Sequence, residues 1–72
     1  MEITFDREAD AVYIELSKKE FASNQKVNED TVLDLDKDGN VIGIEILNVS
    51  EKMTKDFLSS INVRNLVYWG SF

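Results

Sequence analysis

The sequence predicts a small α+β domain, in which an antiparallel β-meander of four or five strands is followed by one C-terminal α-helix and a short apolar tail. Three observations predict it. Apolar and polar residues alternate through much of residues 1–47, which is typical of strands that are half buried in a sheet. Apolar residues then recur every three or four positions, which is typical of an amphipathic helix. With 72 residues the chain can build one thin core, so residues 1–72 are predicted to form a single domain.

The first two strands are predicted at residues 2–6 and 11–17. Both runs alternate, and in the second Val12, Ile14 and Leu16 share one side. Because only a short polar reversal separates the two runs, they are predicted to pair antiparallel. A third run at 21–27 is mostly polar and is predicted to be an edge strand, where Lys26 discourages pairing with other sheets.

The clearest local feature is a hairpin of strands 31–36 and 40–47. A type I turn followed by a glycine in the left-handed region closes the common three-residue loop, and Gly39 fits that position because it has no Cβ. The predicted register sets Leu35 opposite Val41, Asp34 opposite Ile42, and Val32 opposite Ile44.

Both faces of this hairpin are predicted to be substantially apolar. One face carries Val32, Ile42, Ile44 and Ile46, and the other carries Leu33, Leu35, Val41 and Leu47. Gly43 leaves a gap in mid-strand, which is typical of a bulge or of a large ring lying close by, and Tyr13 could fill it. Because a one-sided sheet would show a clean apolar and polar split, each face is predicted to need a cover.

One cover is an amphipathic helix of about three turns. Asn48 or Ser50 can cap its start near Glu51, and its end is predicted within residues 59–62, which are poor helix formers. Its apolar stripe consists of Met53, Phe57, Leu58 and Ile61. The tail from Val63 to Phe72 is apolar and rich in aromatic residues, and three roles stay open for it: contact in a dimer, packing within the chain, or docking of a partner.

The net charge of −6 is concentrated in residues 1–46, which hold twelve acids and five bases. An acidic body repels phosphate, so nucleic acids and acidic lipid surfaces are not expected partners. The acid excess either serves solubility or forms a face that docks a basic partner. The N-terminus has no secretory signal pattern, and the longest apolar stretch, Val41–Leu47, is too short to cross a bilayer, so a cytoplasmic location is expected.

The chain has no histidine and no cysteine, which removes the usual general base, thiolate nucleophiles and thiolate metal sites. Its serines therefore lack a histidine partner, and its three glycines are too scattered for a phosphate-binding loop. Glu15 and Glu45 could lie on neighbouring strands, but a sheet this small is not expected to enclose a pocket between them. We therefore predict no enzyme activity, no catalytic, cofactor-binding or metal-ligating residues, and no cofactor.

The twelve residues from Asp34 to Glu45 match the calcium-loop pattern, with Gly39 at its sixth position. An EF-hand needs a helix on either side of the loop, whereas both flanks here alternate like strands. An Asp-rich hairpin turn explains the match, and weak cation binding at Asp36, Asp38 and Asn40 is the alternative that stays open.

Two stretches resemble a family of very small prokaryotic proteins known only as a domain of unknown function. The first has an aromatic-Asp-x-Glu-Ala-Asp-Ala start, here from Phe5 to Ala11, and the second has an Asp-x-Asp-Gly-x-x-x-Gly-Ile-Glu-Ile-Leu hairpin, here from Asp36 to Leu47. The resemblance covers residues 1–50. It implies a small sheet with a C-terminal helix, no established activity, and for some members a place beside small toxin-like proteins.

Together these features predict an uncharacterised, non-catalytic protein-interaction module. It is expected to self-associate, with a dimer as the expected homo-oligomer, and to partner a small basic, toxin-like protein. The alternative is a weak metal-binding or small-ligand-binding protein that uses the Asp-rich turn from Asp34 to Asn40.

Overall fold

The computed structural model describes residues 1–52, which form one five-stranded antiparallel sheet and a four-residue helix. The elements are β1 (Glu2–Asp6), β2 (Ala11–Glu15), β3 (Ser23–Asn28), β4 (Thr31–Leu35), β5 (Val41–Leu47) and α1 (Val49–Lys52). The predicted antiparallel sheet is confirmed, with five strands, and the four-residue α1 that follows it agrees with the predicted α+β class. The remainder of the predicted helix and the tail from Val63 to Phe72 lie outside the described residues.

The sheet is not a simple meander. Its strand order is β1-β2-β5-β4-β3, so β3, β4 and β5 are consecutive neighbours whereas β2 pairs with β5. This arrangement is a Greek key read from its C-terminal end. Residues 16–22 make the long connection, and the backbone N–H groups of Leu16 and Ser17 donate to the Ile42 carbonyl at 2.9 and 3.1 Å. The prediction of strand order from adjacency along the chain was therefore wrong at β2, because pairing with β5 buries more apolar surface than an exposed, polar β3 could.

The hairpin of β4 and β5 is confirmed. The Gly39 N–H donates to the Asp36 carbonyl at 3.0 Å, and the Asp36 N–H donates to the Asn40 carbonyl at 2.9 Å. Gly39 has φ of +84°, the left-handed conformation that favours glycine. The Asp36 carboxylate accepts from the N–H groups of Asp38 and Asn40, both at 2.9 Å, and so fastens the loop from inside.

A β-bulge, located one residue beyond this loop, changes the pairing register of β4 and β5. Leu35 lies opposite Val41 as predicted, but Asp34 lies opposite Gly43, and Val32 lies opposite Glu45. Ile42 is the extra residue on β5, and it is buried. The predicted pairs of Asp34 with Ile42 and of Val32 with Ile44 were therefore wrong, because one inserted residue moves every later side chain of β4 to the other face relative to β5.

Because of the bulge, the apolar side chains of β4 and β5 lie mostly on one face of the sheet and the polar ones mostly on the other. The prediction of two apolar faces was therefore wrong. We call one side the apolar face; it carries Ile3, Phe5, Val12, Ile14, Leu33, Leu35, Val41, Ile44 and Ile46. We call the other the acidic face; it carries Glu2, Thr4, Asp6, Ala11, Tyr13, Glu15, Asn24, Lys26, Val32, Asp34, Gly43, Glu45 and Leu47. One side of the sheet is thus built for packing and the other for polar contacts.

The chain turns into α1 at the end of β5. Asn48 adopts φ of +54°, and the next residue, Val49, is completely buried. Asp10, from the turn between β1 and β2, caps this start: its carboxylate accepts from the Ser50 N–H at 3.0 Å and from the Ser50 hydroxyl at 2.7 Å. The predicted cap was one of Asn48 and Ser50, but the capping oxygens come from a residue 40 positions away in sequence.

A second contact holds the same segment from the other side. Asp30, in the turn between β3 and β4, accepts from the Asn48 side-chain amide at 2.7 Å and forms an ion pair with Lys52. Asp10 and Asp30 thus place the start of α1 across the end of the sheet, between two turns. The outer strand β3 is exposed along its whole length, as predicted for an edge strand.

Candidate functional site

The strongest candidate site is a polar row at the centre of the acidic face. Strand pairing sets Tyr13 of β2 between Thr4 of β1 and Glu45 of β5. Asp34 of β4 lies one row along, opposite Gly43. Four strands therefore contribute to one cluster, and the β2–β5 pairing, which the sequence did not predict, brings its members together.

Tyr13 occupies the gap left by Gly43. A Cβ at residue 43 would lie 2.6 Å from Cζ and 2.9 Å from Cε1 of the Tyr13 ring, and closer still to its hydroxyl oxygen. Ordinary van der Waals contact begins at 3.4 Å, so the ring fits only against a glycine. Gly43 was predicted to mark a bulge or the approach of a large ring, and the structure shows the Tyr13 ring against Gly43 and a bulge at the neighbouring Ile42. The ring contact holds the phenol group over the middle of the acidic face.

Asp34 is the most enclosed carboxylate of the cluster, with only 8% of its surface exposed. The Asn24 side-chain amide donates to Asp34 at 2.8 Å. Hydrogen bonding with Asp34 raises the pKa of Glu45, and burial and the negative charge of Asp34 act in the same direction. Burial, followed by the charge of Asp34, also raises the pKa of Tyr13. Glu45 therefore keeps its proton to a higher pH than an isolated glutamate would.

A cleft of about 390 Å³ opens beside this cluster. It is lined by Thr4, Asp6, Ala9, Ala11, Val12, Tyr13, Asp34, Glu45 and Leu47. The lining includes the side chain of Tyr13 and, from the turn between β1 and β2, Ala9. Glu15 and Glu45 do lie on neighbouring strands as predicted, but Glu15 is not among the residues lining the cleft.

The chemistry on offer is hydrogen bonding and negative charge. The cleft presents carboxyl groups, a phenol and a threonine hydroxyl above small apolar residues. Such a surface suits a cationic or hydrogen-bonding side chain of another molecule. The predicted register sets Asp34 opposite Ile42, so the sequence did not predict Asp34 as a member of the cluster. Gly43, which lies opposite Asp34 in the structure, was the one signal of a special position.

The carboxylates of the Asp-rich turn do not converge on one position. Asp36 is turned into its own loop, where hydrogen bonds from the backbone of Asn40 lower its pKa, and Lys19 lies 4.0 Å away. Asp34 faces the acidic face instead, and Asp38 is exposed. Within residues 1–52, no group of three or more acidic residues is placed to hold a metal ion.

A second feature lies at the end of the sheet where the loop between β4 and β5 is found. It consists of Leu16, Phe21 and Val41, and we call it the distal patch. These large apolar side chains are 44%, 52% and 40% exposed. Backbone hydrogen bonds bring them to one end of the sheet, because Leu16 donates to Ile42, the neighbour of Val41, and Ala22, the neighbour of Phe21, donates to Leu35. Leu35 in turn pairs with Val41. Clustered exposed apolar side chains are typical of contact surfaces.

Comparison with known proteins identifies a family but no individual relative. The search of curated proteins and the search of solved structures each gave no significant match. None of the helices in the described part of the chain is long and apolar enough to span a membrane. A family model described as protein of unknown function (DUF2283) matches residues 2–50, which include all five strands, Asp10, Gly39, and the Tyr13–Gly43 pair. The match covers more than half of the chain, and the protein therefore belongs to this family of small domains of unknown function.

Proposed function

We propose that this domain is a non-catalytic protein-interaction module of the cytoplasm that associates with a second copy of itself. The observation that carries the proposal is the distal patch. In a chain with a net charge of −6, three large apolar side chains stand 40–52% exposed at one end of the sheet. Desolvating them against a partner is favourable, at about 25 cal/mol per Å² of apolar surface.

The distal patch alone is too small for a stable interface, since a standard one buries about 800 Å² on each partner. The sequence supplies more apolar surface in the tail from Val63 to Phe72, which contains three of the seven aromatic residues. A second copy of the chain offers the same patch and the same tail, so a twofold arrangement lets each copy cover the other. A partner with a polar surface would not provide the apolar surface that this patch requires.

Sedimentation equilibrium of the full chain tests self-association. The wild type is expected to be a dimer at micromolar concentrations, and Phe21→Glu is expected to be a monomer with unchanged circular dichroism. Val27→Glu is the matched control, because Val27 is also exposed, at 56%, but lies on the outer strand β3 away from the distal patch. A monomeric wild type would refute the proposal, as would equal dissociation of both variants.

A basic protein partner is the second candidate, and the acidic face favours it. Along the described strands this face carries five carboxylates, against Lys26 as its base, and the cleft beside Tyr13 is wide enough to admit a side chain. A lysine or arginine side chain there would relieve the repulsion between Asp34 and Glu45. None of the residues of the distal patch lines the cleft, so the two interactions use different residues and are compatible.

Titration with a lysine-rich peptide, followed by NMR chemical shifts, tests this second candidate. Shifts are expected at Tyr13 and Glu45 and should weaken as salt is added. The Asp34→Asn/Glu45→Gln double variant should lose them. A Glu20→Gln/Glu29→Gln variant removes the same charge from two exposed acids outside the strands and should keep them. Equal loss in both variants would mean attraction by net charge alone.

The alternative of a metal or small-ligand site at the turn from Asp34 to Asn40 has less support. Asp36 already satisfies its own loop, and Asp34 belongs to the acidic face. Absence of histidine and cysteine from the whole chain supports the non-catalytic assignment.

A further inference from the structure

The two edges of the sheet differ in how they are protected against a further strand. β3 forms one edge; it carries Lys26, and its register with β4 shifts between Lys26 and Asn28. A lysine and a bulge are two devices that keep an edge strand from pairing with another chain. β1 forms the other edge and pairs with β2 in an unbroken register from Glu2 to Asp6. Because β1 has neither device, it is the edge to which another strand can be added.

The outer side of β1 offers a row of backbone groups for hydrogen bonding. Along an antiparallel strand, alternate residues direct their N–H and C=O groups away from the neighbouring strand. Among residues 1–52 no further strand lies beside β1, and no backbone group of a turn or loop is hydrogen-bonded to it. An extended segment laid along these five residues would pair with the outward groups over about 17 Å. Such main-chain pairing supplies the affinity when a peptide joins a sheet edge.

The side chains of β1 define what the added strand has to carry. On the apolar face Ile3 is half-buried and Phe5 is 41% exposed. On the acidic face Glu2 and Asp6 flank Thr4, and within residues 1–52 neither acid forms an ion pair. A strand that alternates apolar and basic residues would cover Phe5 with one side and neutralise both acids with the other.

A second copy of β1 does not suit the same edge. An antiparallel pair centred on Thr4 would set Glu2 of each copy opposite Asp6 of the other, on one face. Like charges directly opposite each other destabilise a strand pair. Asp6 is also held in place, because one of its carboxylate oxygens accepts from the N–H groups of Glu8 and Ala9 at 3.0 and 3.1 Å. The two acids therefore oppose a second copy and favour a basic strand.

The same edge leads into the cleft on the acidic face. Thr4 and Asp6 of β1 line that cleft together with Tyr13. Long side chains reach diagonal neighbours on an adjoining strand, so a lysine or arginine facing Thr4 from an added strand would extend toward the cleft.

We propose that a basic protein partner binds by adding one extended strand, with alternating basic and apolar residues, to the outer edge of β1. The inference rests on the second candidate function, binding of a basic partner through the acidic face. It specifies the mode of that binding and the sequence pattern of the segment that binds. The distal patch takes no part, because none of its residues lies on β1.

Titration of the full chain with a capped seven-residue peptide of alternating lysine and valine tests the proposal. Nuclear Overhauser contacts are expected between the peptide backbone and that of β1, and amide exchange should slow at alternate residues of Glu2–Asp6. A peptide of the same composition with its valines in one block should not give these contacts. N-methylation of one alternate set of peptide amides should weaken binding about tenfold or more, whereas N-methylation of the other set, which points away from β1, should leave it unchanged.

Protein variants probe the same contact from the side of the domain. Glu2 does not line the cleft, and Glu2→Lys gives β1 the residue type that protects β3. The dissociation constant is expected to rise about fivefold or more. Glu29→Lys is the matched control, because Glu29 is exposed in the turn between β3 and β4. The same change of charge there should alter the dissociation constant by less than about twofold. Equal weakening in both variants would indicate attraction by net charge alone and overturn the proposal.

The remaining outcomes separate this inference from the function on which it rests. Shifts confined to Tyr13 and Glu45, without contacts to β1, would keep a basic partner and overturn strand addition. No binding of either peptide at millimolar concentration would overturn both, and contacts to β3 would overturn the choice of edge. Slow exchange of the outward β1 amides in the free protein would show that the chain itself occupies the edge, or a second copy if the protection grows with protein concentration; either result would overturn the proposal.

Discussion

Replacing Gly43 with alanine probes the contact between Tyr13 and the centre of the sheet. The new Cβ would fall 2.6 Å from Cζ of the ring, so the ring has to withdraw by about 1 Å to reach ordinary contact. The Tyr13 side chain lines the cleft, and the Asp34 carboxylate lies beside its hydroxyl group. Withdrawal therefore disturbs both the packing and the polar cluster.

The size of the effect follows from two opposing terms. Alanine is better than glycine in a strand by about 0.5–1 kcal/mol. Overpacking of a close contact costs about 1–3 kcal/mol. We expect Gly43→Ala to lower the free energy of unfolding by about 1–2 kcal/mol. In a Tyr13→Ala background the obstacle is gone, and the same substitution should be neutral or stabilising by up to about 1 kcal/mol.

A double-mutant cycle measured by urea unfolding at pH 7 checks this reasoning. The free energies of the wild type, both single variants and the double variant give a coupling energy, expected at about 2 kcal/mol. Additive behaviour, with Gly43→Ala equally costly in both backgrounds, would show that the ring does not constrain residue 43. The cause would then be the bulge itself.

Four further outcomes are expected. Glu45 has a pKa raised above its ordinary 4.5 in the folded state, so its contribution to stability is fully present below pH 4.5 and is lost as the pH rises through the folded pKa. In denaturation curves measured from pH 4.5 to 7, Glu45→Gln should therefore reduce the fall in the free energy of unfolding with rising pH. An unchanged fall would exclude Glu45 as its source. Gly39→Val should cost about 1–2 kcal/mol, since a β-branched residue resists positive φ, and wild-type stability in urea would contradict the turn geometry. Asp10→Ala should cost about 1 kcal/mol through loss of the cap on Ser50, a result checked against Asp10→Asn, which keeps one acceptor. Millimolar calcium should leave the melting temperature unchanged, because Asp36 is committed to its loop; a calcium-dependent rise that an Asp36→Asn variant abolishes would revive the cation site.

Local chemistry made much of this fold predictable. Gly39 and the aspartates around it specify a hairpin loop, and the alternating runs near Val12 and Ile3 specify strands, because turn and strand preferences act over a few residues. Gly43 indicated the approach of a large side chain, because the absence of a Cβ in mid-strand is a local signal of a close neighbour. These features needed no knowledge of distant contacts.

The acidic face and its cleft could not be predicted in the same way. Their composition depends on whether Ile42 is inserted as a bulge, and β5 is so rich in apolar residues that its periodicity does not fix the register. The pairing of Tyr13 with Glu45 depends on the choice of β5 as the neighbour of β2, which is a tertiary preference. The cap supplied by Asp10 to Ser50 likewise joins residues whose relation appears only once the sheet has formed.

The Greek-key order has a consequence for how the chain folds. Of the four strand pairs in the described sheet, three join consecutive strands, whereas β2 and β5 pair residues as far apart in sequence as Ala11 and Leu47. A β1–β2 hairpin and a β3–β4–β5 unit can therefore form quickly, and the slow step is their docking along one seam, whose loop closure carries an entropic cost. Until that step the inner edges of both units are unpaired, and each can pair with the complementary unit of another chain. The seam between β2 and β5, rather than either outer edge of the finished sheet, is thus where exchange of strands between newly made copies would begin.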